Sequence, residues 1–194
     1  MPAGEACRAI NLVIFGESEM KLRTLILSLV LLFLTTTAAF AGARRETPAG
    51  FAGRFYQTYL KLRISGLPDK RQLKILAPFL AGDLHRLFKN AQLVKAKFIK
   101  ENPVDMKPPW QEGDLLTSLF EGAQSFKIGR VSAGRQYTEV SIRLKYSDGG
   151  KPVNWTDRLV LIRSKDGWRV HDIRLDGNWQ FKNGDSLRQI LSAK

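Results

Sequence analysis

Cysteine is almost absent from this chain, and histidine is scarce. Cys7 is the only cysteine and lies well upstream of the patterned region, which can therefore form no disulfide and offers no thiolate to a metal or a substrate. The two histidines, His85 and His171, fall on separate elements, so no metal site and no cofactor is expected. A glycine-rich phosphate loop, a GxSxG elbow and an HExxH helix are all missing. Long apolar runs are missing too. The longest, Leu25 to Leu34, has about half of the roughly 20 residues that a membrane-spanning helix needs. Acidic residues are short by comparison with basic ones, 18 against 31, which leaves a net charge of +13.

What the short apolar run does fit is a secretory signal. From Met20 the chain shows Lys21 and Arg23, then Leu25 to Leu34, then Ala39-Phe40-Ala41 as a small-x-small cleavage site. Residues 20–41 are expected to be a signal peptide cleaved after Ala41, with residues 1–19 an upstream extension that would arise if translation starts at Met1 rather than Met20. The exported protein would be periplasmic or secreted, with a linker over 42–50 and a single domain over 51–194. Residues 1–41 hold three basic and three acidic residues, so the whole +13 falls on the 153 residues that remain (194 − 41). Such a field favours anionic partners, and export points to phospholipid headgroups or anionic envelope polymers rather than nucleic acid.

Helical spacing comes first in that domain. Phe51, Phe55, Tyr59 and Leu62 form one stripe, and Gly66, Leu67 and Pro68 break it. Asp69 with Gln72 is a capping pattern for a second helix carrying Leu73, Leu76 and Leu80, which Pro78 kinks or restarts. A third stretch from Asp83 puts Leu84, Leu87, Phe88, Ala91 and Val94 on one side and Arg86, Lys89, Lys97 and Lys100 on the other. Beyond a proline-rich loop from Glu101 the period falls to two. "YTEVSIRLKY", "VNWTDRLVLIR" and "WRVHDIRL" are strands joined by Asp-Gly turns at Asp148-Gly149 and Asp166-Gly167, and "SFKIGRV" is another. Ser186 is placed to cap a short last helix with Leu187 and Leu191. The expected class is α+β, with N-terminal helices packed on a curved antiparallel sheet.

Helices first, then strands joined by Asp-Gly turns, with a late Gly167-Trp168-x-Val170-x-Asp172-Ile173 strand, resemble the nuclear-transport-factor-2-like superfamily, the cystatin-like cone fold. Within it, "LLTSLFEGAQSFKIG", "NWTDRLVLIR" and "DGWRVHDIRLDG" are similar to a family of exported bacterial domains of uncharacterised role. The resemblance implies a sheet wrapped round helices with a pocket inside the cone. It does not settle function, because that fold hosts enzymes, ligand binders and assembly modules.

Three functions stay open. In the first, a non-catalytic domain binds a small ligand or an envelope protein in a pocket lined by Tyr59, Trp155, Trp168 and Asp172. In the second, Asp172 with Asp157 performs acid/base chemistry: strand alternation puts Trp168, Val170 and Asp172 on one face, taken as the inner one, and burial raises a carboxyl pKa. That reading lacks an oxyanion donor. Adjacent His171 points the other way and forms no dyad with Asp172 unless a bulge intervenes. In the third, Arg86, Lys89, Lys97 and Lys100 dock on an anionic surface. Dimerisation through the outer sheet face, as in many cone-fold proteins, is left open by the polar Glu139, Arg143 and Lys145 there.

Overall fold

The computed structural model describes residues 45–179 and 185–193. The extension, signal and cleavage site expected over 1–41 lie outside the described residues. Helix α1, Pro48–Leu62, opens three residues before Phe51, because Thr47 takes the Gly50 amide at 3.1 Å and Pro48 has no N–H to leave unpaired. It buries Phe51, Phe55, Tyr56 and Tyr59. Helix α2, Lys70–Leu76, carries the expected capping box: Gln72 N–H donates to Asp69 at 2.7 Å, and Asp69 N–H to the Gln72 side chain at 3.0 Å. Pro78 falls in a single 3₁₀ turn, Ala77–Phe79, after which Leu80 bridges to Val170 and the chain restarts as α3, Gly82–Glu101. The buried residues of α3 are Leu84, Phe88 and Ala91.

The second half is an antiparallel meander, β1 (Ser125–Ala133), β2 (Thr138–Tyr146), β3 (Val153–Ser164) and β4 (Gly167–Arg174), in spatial order 1-2-3-4. Helix α4, Leu187–Ser192, follows, its Ser186 cap accepting from the Gln189 amide at 3.3 Å. The α+β class expected from the sequence is the one observed. Register sets Ile142 beside Asp157, Leu144 beside Trp155, Leu159 beside Ile173 and Leu161 beside Val170, and this face is buried under the helices. Helix α1 crosses β1 and β2, while α3 and α4 pack by β4.

Two irregularities bend the sheet. Gly129 and Arg130 together oppose Ser141, and His171 is an extra residue between the pairs Leu161–Val170 and Val160–Asp172. Each is a bulge, which increases local twist and re-aims the side chains after it. The loop over 103–124 is tied to the helices. Leu67 N–H donates to the Trp110 carbonyl at 2.9 Å, and the Trp110 indole donates to the Ile190 carbonyl at 3.2 Å. Gly66 (φ +67°) allows this approach, since a Cβ there would sit 2.4 Å from the Trp110 carbonyl oxygen. No helix among the described residues is long and apolar enough to cross a membrane.

Candidate functional site

Three carboxylates are buried, Asp157, Asp114 and Asp172, and of these Asp114 is the one that the sequence does not single out. Asp157 lies on the inner face of β3 and is fully buried. One of its oxygens accepts from the Ser118 amide at 2.8 Å and the Trp155 indole at 3.0 Å. The other accepts from the Ser118 hydroxyl at 2.6 Å and the Asp176 amide at 3.0 Å. Burial pushes its pKa up, and the hydrogen bonds from Ser118, Trp155 and Asp176 oppose that rise. Two donors on each oxygen fill the four acceptor positions of a carboxylate. To take a proton from a substrate it would first have to release a structural partner.

The second carboxylate is Asp114. Its Oδ1 accepts from the amides of Leu116 (2.6 Å) and Thr117 (2.7 Å), and its Oδ2 from the Tyr59 hydroxyl at 2.6 Å. Tyr59 Oη in turn accepts from the Ala123 amide at 3.1 Å. Burial raises Asp114 to about 6 against the pull of these donors. Burial, and then the Asp114 charge, lift the Tyr59 phenol well above its usual value. Gly122 (φ +77°) closes over the pair, and a Cβ there would stand 2.8 Å from Asp114 Oδ2 and 3.0 Å from Tyr59 Oη. The pair borders a cavity of about 540 Å³, which Arg63, Glu121, Gln124 and Tyr146 also line.

Asp172 is buried too, but not on the inner face of the sheet. The bulge at His171 sets Asp172 level with Val160, on the face opposite Val170 and Ile173, so the alternation that aimed it inward with Trp168 and Val170 fails at that point. Its Oδ1 accepts from the Ile173 amide at 2.8 Å and from the Arg188 amide, in the first turn of α4, at 3.0 Å. Asp157 and Asp172 therefore occupy opposite faces of the sheet and form no acid/base pair. His171 does not bond Asp172 either. Its ring stacks on Tyr137 with centroids 4.7 Å apart, and its Nδ1 is 3.8 Å from Asp83, which Arg188 engages at 2.8 Å. Burial first, and then the charge of Arg188, lower the His171 pKa, while Asp83 and Asp172 act the other way.

The four residues expected to line one pocket do not meet in one. Tyr59 borders the cavity beside Asp114. Trp155 is core, edge-on to Trp179 at 6.0 Å and bonded to Asp157. Trp168 is at the hairpin end, where its indole donates to the Glu46 carbonyl at 2.9 Å and Arg163 lies 4.8 Å over its ring. Arg86, Lys89, Lys97 and Lys100 are exposed on α3, and no ion pair holds them among the described residues. No His, Cys, Asp and Glu group able to hold a metal occurs among the described residues.

Asp114 and Ser118 are the functional-looking residues that the sequence hides. Both lie in the loop, and their partners are 55 and 39 residues away. The one local signal is Asp114 followed by the amides of Leu116 and Thr117, a side chain closing its own turn. No protein-family model, no curated protein and no solved structure matches this chain.

Proposed function

We propose that this chain is an exported, non-catalytic binding domain of the cell envelope, of the nuclear-transport-factor-2-like kind, that takes a small ligand in the cavity beside Tyr59 and Asp114. The observation that carries the reading is the saturation of Asp157. Its four hydrogen bonds tie β3 to the loop and to the segment after β4, which suits a structural pin better than a base. The cavity, by contrast, has unspent chemistry. Arg63 and Glu121 line it without an ion-pair partner among the described residues, next to the Tyr146 hydroxyl, while the Gln124 amide there is held by the Ser147 backbone. A small polar molecule with groups of both signs fits that lining.

The test is a native mass spectrum of the protein recovered from the cells that make it. One defined added mass is expected, and Arg63→Glu should remove it. A bare mass, or an added mass indifferent to Arg63, overturns the cavity reading.

A second reading has its own support. Arg86, Lys89, Lys97 and Lys100 make an exposed cationic stripe free of carboxylate partners, as docking on an anionic surface requires. Retention on an anionic matrix that persists when all four are replaced by glutamine would contradict it.

A further inference from the structure

Helix α3 outruns the core. No residue after Ala91 is buried, yet the helix continues for ten residues to Glu101, a length of about 15 Å. Of the nine large hydrophobic side chains that are exposed among the described residues, five fall between Leu93 and Met106: Leu93 (69 %), Val94 (46 %), Ile99 (58 %), Val104 (106 %) and Met106 (49 %). Scattered exposed apolar residues need no explanation, but a concentration at one protruding tip does. At 100° per residue, Arg86, Lys89, Leu93, Lys97 and Lys100 share an arc of about 80°, with Leu93 at its centre. The most exposed leucine of the helix is thus ringed by cations that engage no carboxylate among the described residues.

From this we infer that the end of α3 and the turn after it form a membrane-docking tip, which sets Leu93, Ile99, Val104 and Met106 into the interface of an anionic phospholipid bilayer. The inference rests on the cationic-stripe reading and deepens it by naming the surface and adding insertion. Charge complementarity selects the occupant: a net charge of +13 and a stripe of four cations favour a negatively charged leaflet. The distribution of the apolar groups selects a bilayer over a protein groove. Helix-in-groove recognition uses anchors along one face. Here Leu93, Val94 and Ile99 point to three sides of the helix, and Val104 and Met106 belong to the turn beyond it, where the Met106 amide donates to the Pro103 carbonyl at 3.1 Å. Apolar groups that point several ways from one tip are suited to a fluid interface that closes about them, and the lysines among them keep their ammonium groups at the headgroups.

Vesicle co-sedimentation tests this with the protein recovered from the cells that make it. It should pellet with vesicles of phosphatidylglycerol in phosphatidylcholine, much less with phosphatidylcholine alone, and less as salt rises. Leu93→Gln with Ile99→Gln should lower partitioning by about tenfold or more with every charge unchanged. Both sites are exposed, so the fold and the cavity-bound mass should be unchanged. Lys97→Glu with Lys100→Glu should lower partitioning too. If the Leu93→Gln, Ile99→Gln variant binds phosphatidylglycerol vesicles as the wild type does, the stripe adsorbs by charge alone and insertion is wrong. If the wild type binds no anionic vesicle but is retained on an anionic polymer, the bilayer is the wrong surface and the stripe reading survives. Retention on neither removes both. A wild-type dimer that Leu93→Asp dissolves, without vesicle binding, would mean that a second copy covers the tip and would overturn the proposal.

Discussion

Tyr56 is completely buried, and its hydroxyl has no hydrogen-bond partner among the described residues. An unsatisfied buried hydroxyl costs about 1–3 kcal/mol, whereas its removal with the ring kept costs little. Tyr56→Phe is therefore expected to leave the protein as stable as before or about 1 kcal/mol more stable, a result that chemical denaturation would read. A loss of stability would show that the hydroxyl has a partner. Asp114 behaves differently, because all its contacts are made and its difficulty is charge. Its folded pKa of about 6 stands above the ordinary carboxylate value, so the folded state holds a proton that the unfolded state has lost. Stability from this group is full below about pH 4 and is lost as pH rises through about 6. Asn at this position keeps an acceptor for the Leu116 and Thr117 amides and turns its NH₂ to Tyr59. Between pH 4 and 7 the stability of Asp114→Asn relative to wild type should rise by up to about 3 kcal/mol. Urea midpoints that keep a constant gap over that range would contradict the assignment.

At the scale of the element, one residue decides where β4 aims its side chains. Helix caps, the α1 stripe, the strand alternation of β2 and the capping box of α2 were legible in the sequence because each depends on neighbours a few residues away. The bulge at His171 was not. It lies next to Val170, which pairs with Leu161 on one side and bridges to Leu80 on the other, and no local pattern marks which residue is squeezed out. Asp172 consequently ended on the far face, and the single-pocket expectation ended with it. The Tyr59–Asp114 pair was hidden for a related reason, since a loop residue and a helix residue meet only after the whole sheet is assembled. What Asp172 does instead is hold the start of α4. Asp172→Ala should cost about 1–2 kcal/mol, concentrated in that helix, because the Arg188 amide loses its acceptor. Hydrogen exchange would show faster amides over Leu187–Leu191 and little change in β2. Uniform acceleration would place the role elsewhere.

For the whole molecule the distribution of charge matters more than its sum. The outer sheet face carries Lys127 directly opposite Arg143, with Lys145 next along β2, around a shallow groove of about 490 Å³ that no carboxylate lines. Like charges facing each other across paired strands are unfavourable already within one chain. A two-fold dimer through this face would add to that cost, because an isologous interface sets the same patch against its own copy. The nearby acids give no relief, as Glu139 and Asp176 are both engaged by Arg158, at 3.0 and 2.6 Å. The protein should thus be monomeric at low ionic strength, where the screening length reaches about 30 Å and repulsion acts across the whole contact. Sedimentation equilibrium at two salt concentrations would measure this. A dimer at low salt that Leu93→Asp leaves intact would place the interface on the sheet after all, and would require that the cations of one copy find acceptors on the other. Monomers at low salt would instead leave both cationic surfaces, the sheet groove and the α3 stripe, free for partners of opposite charge.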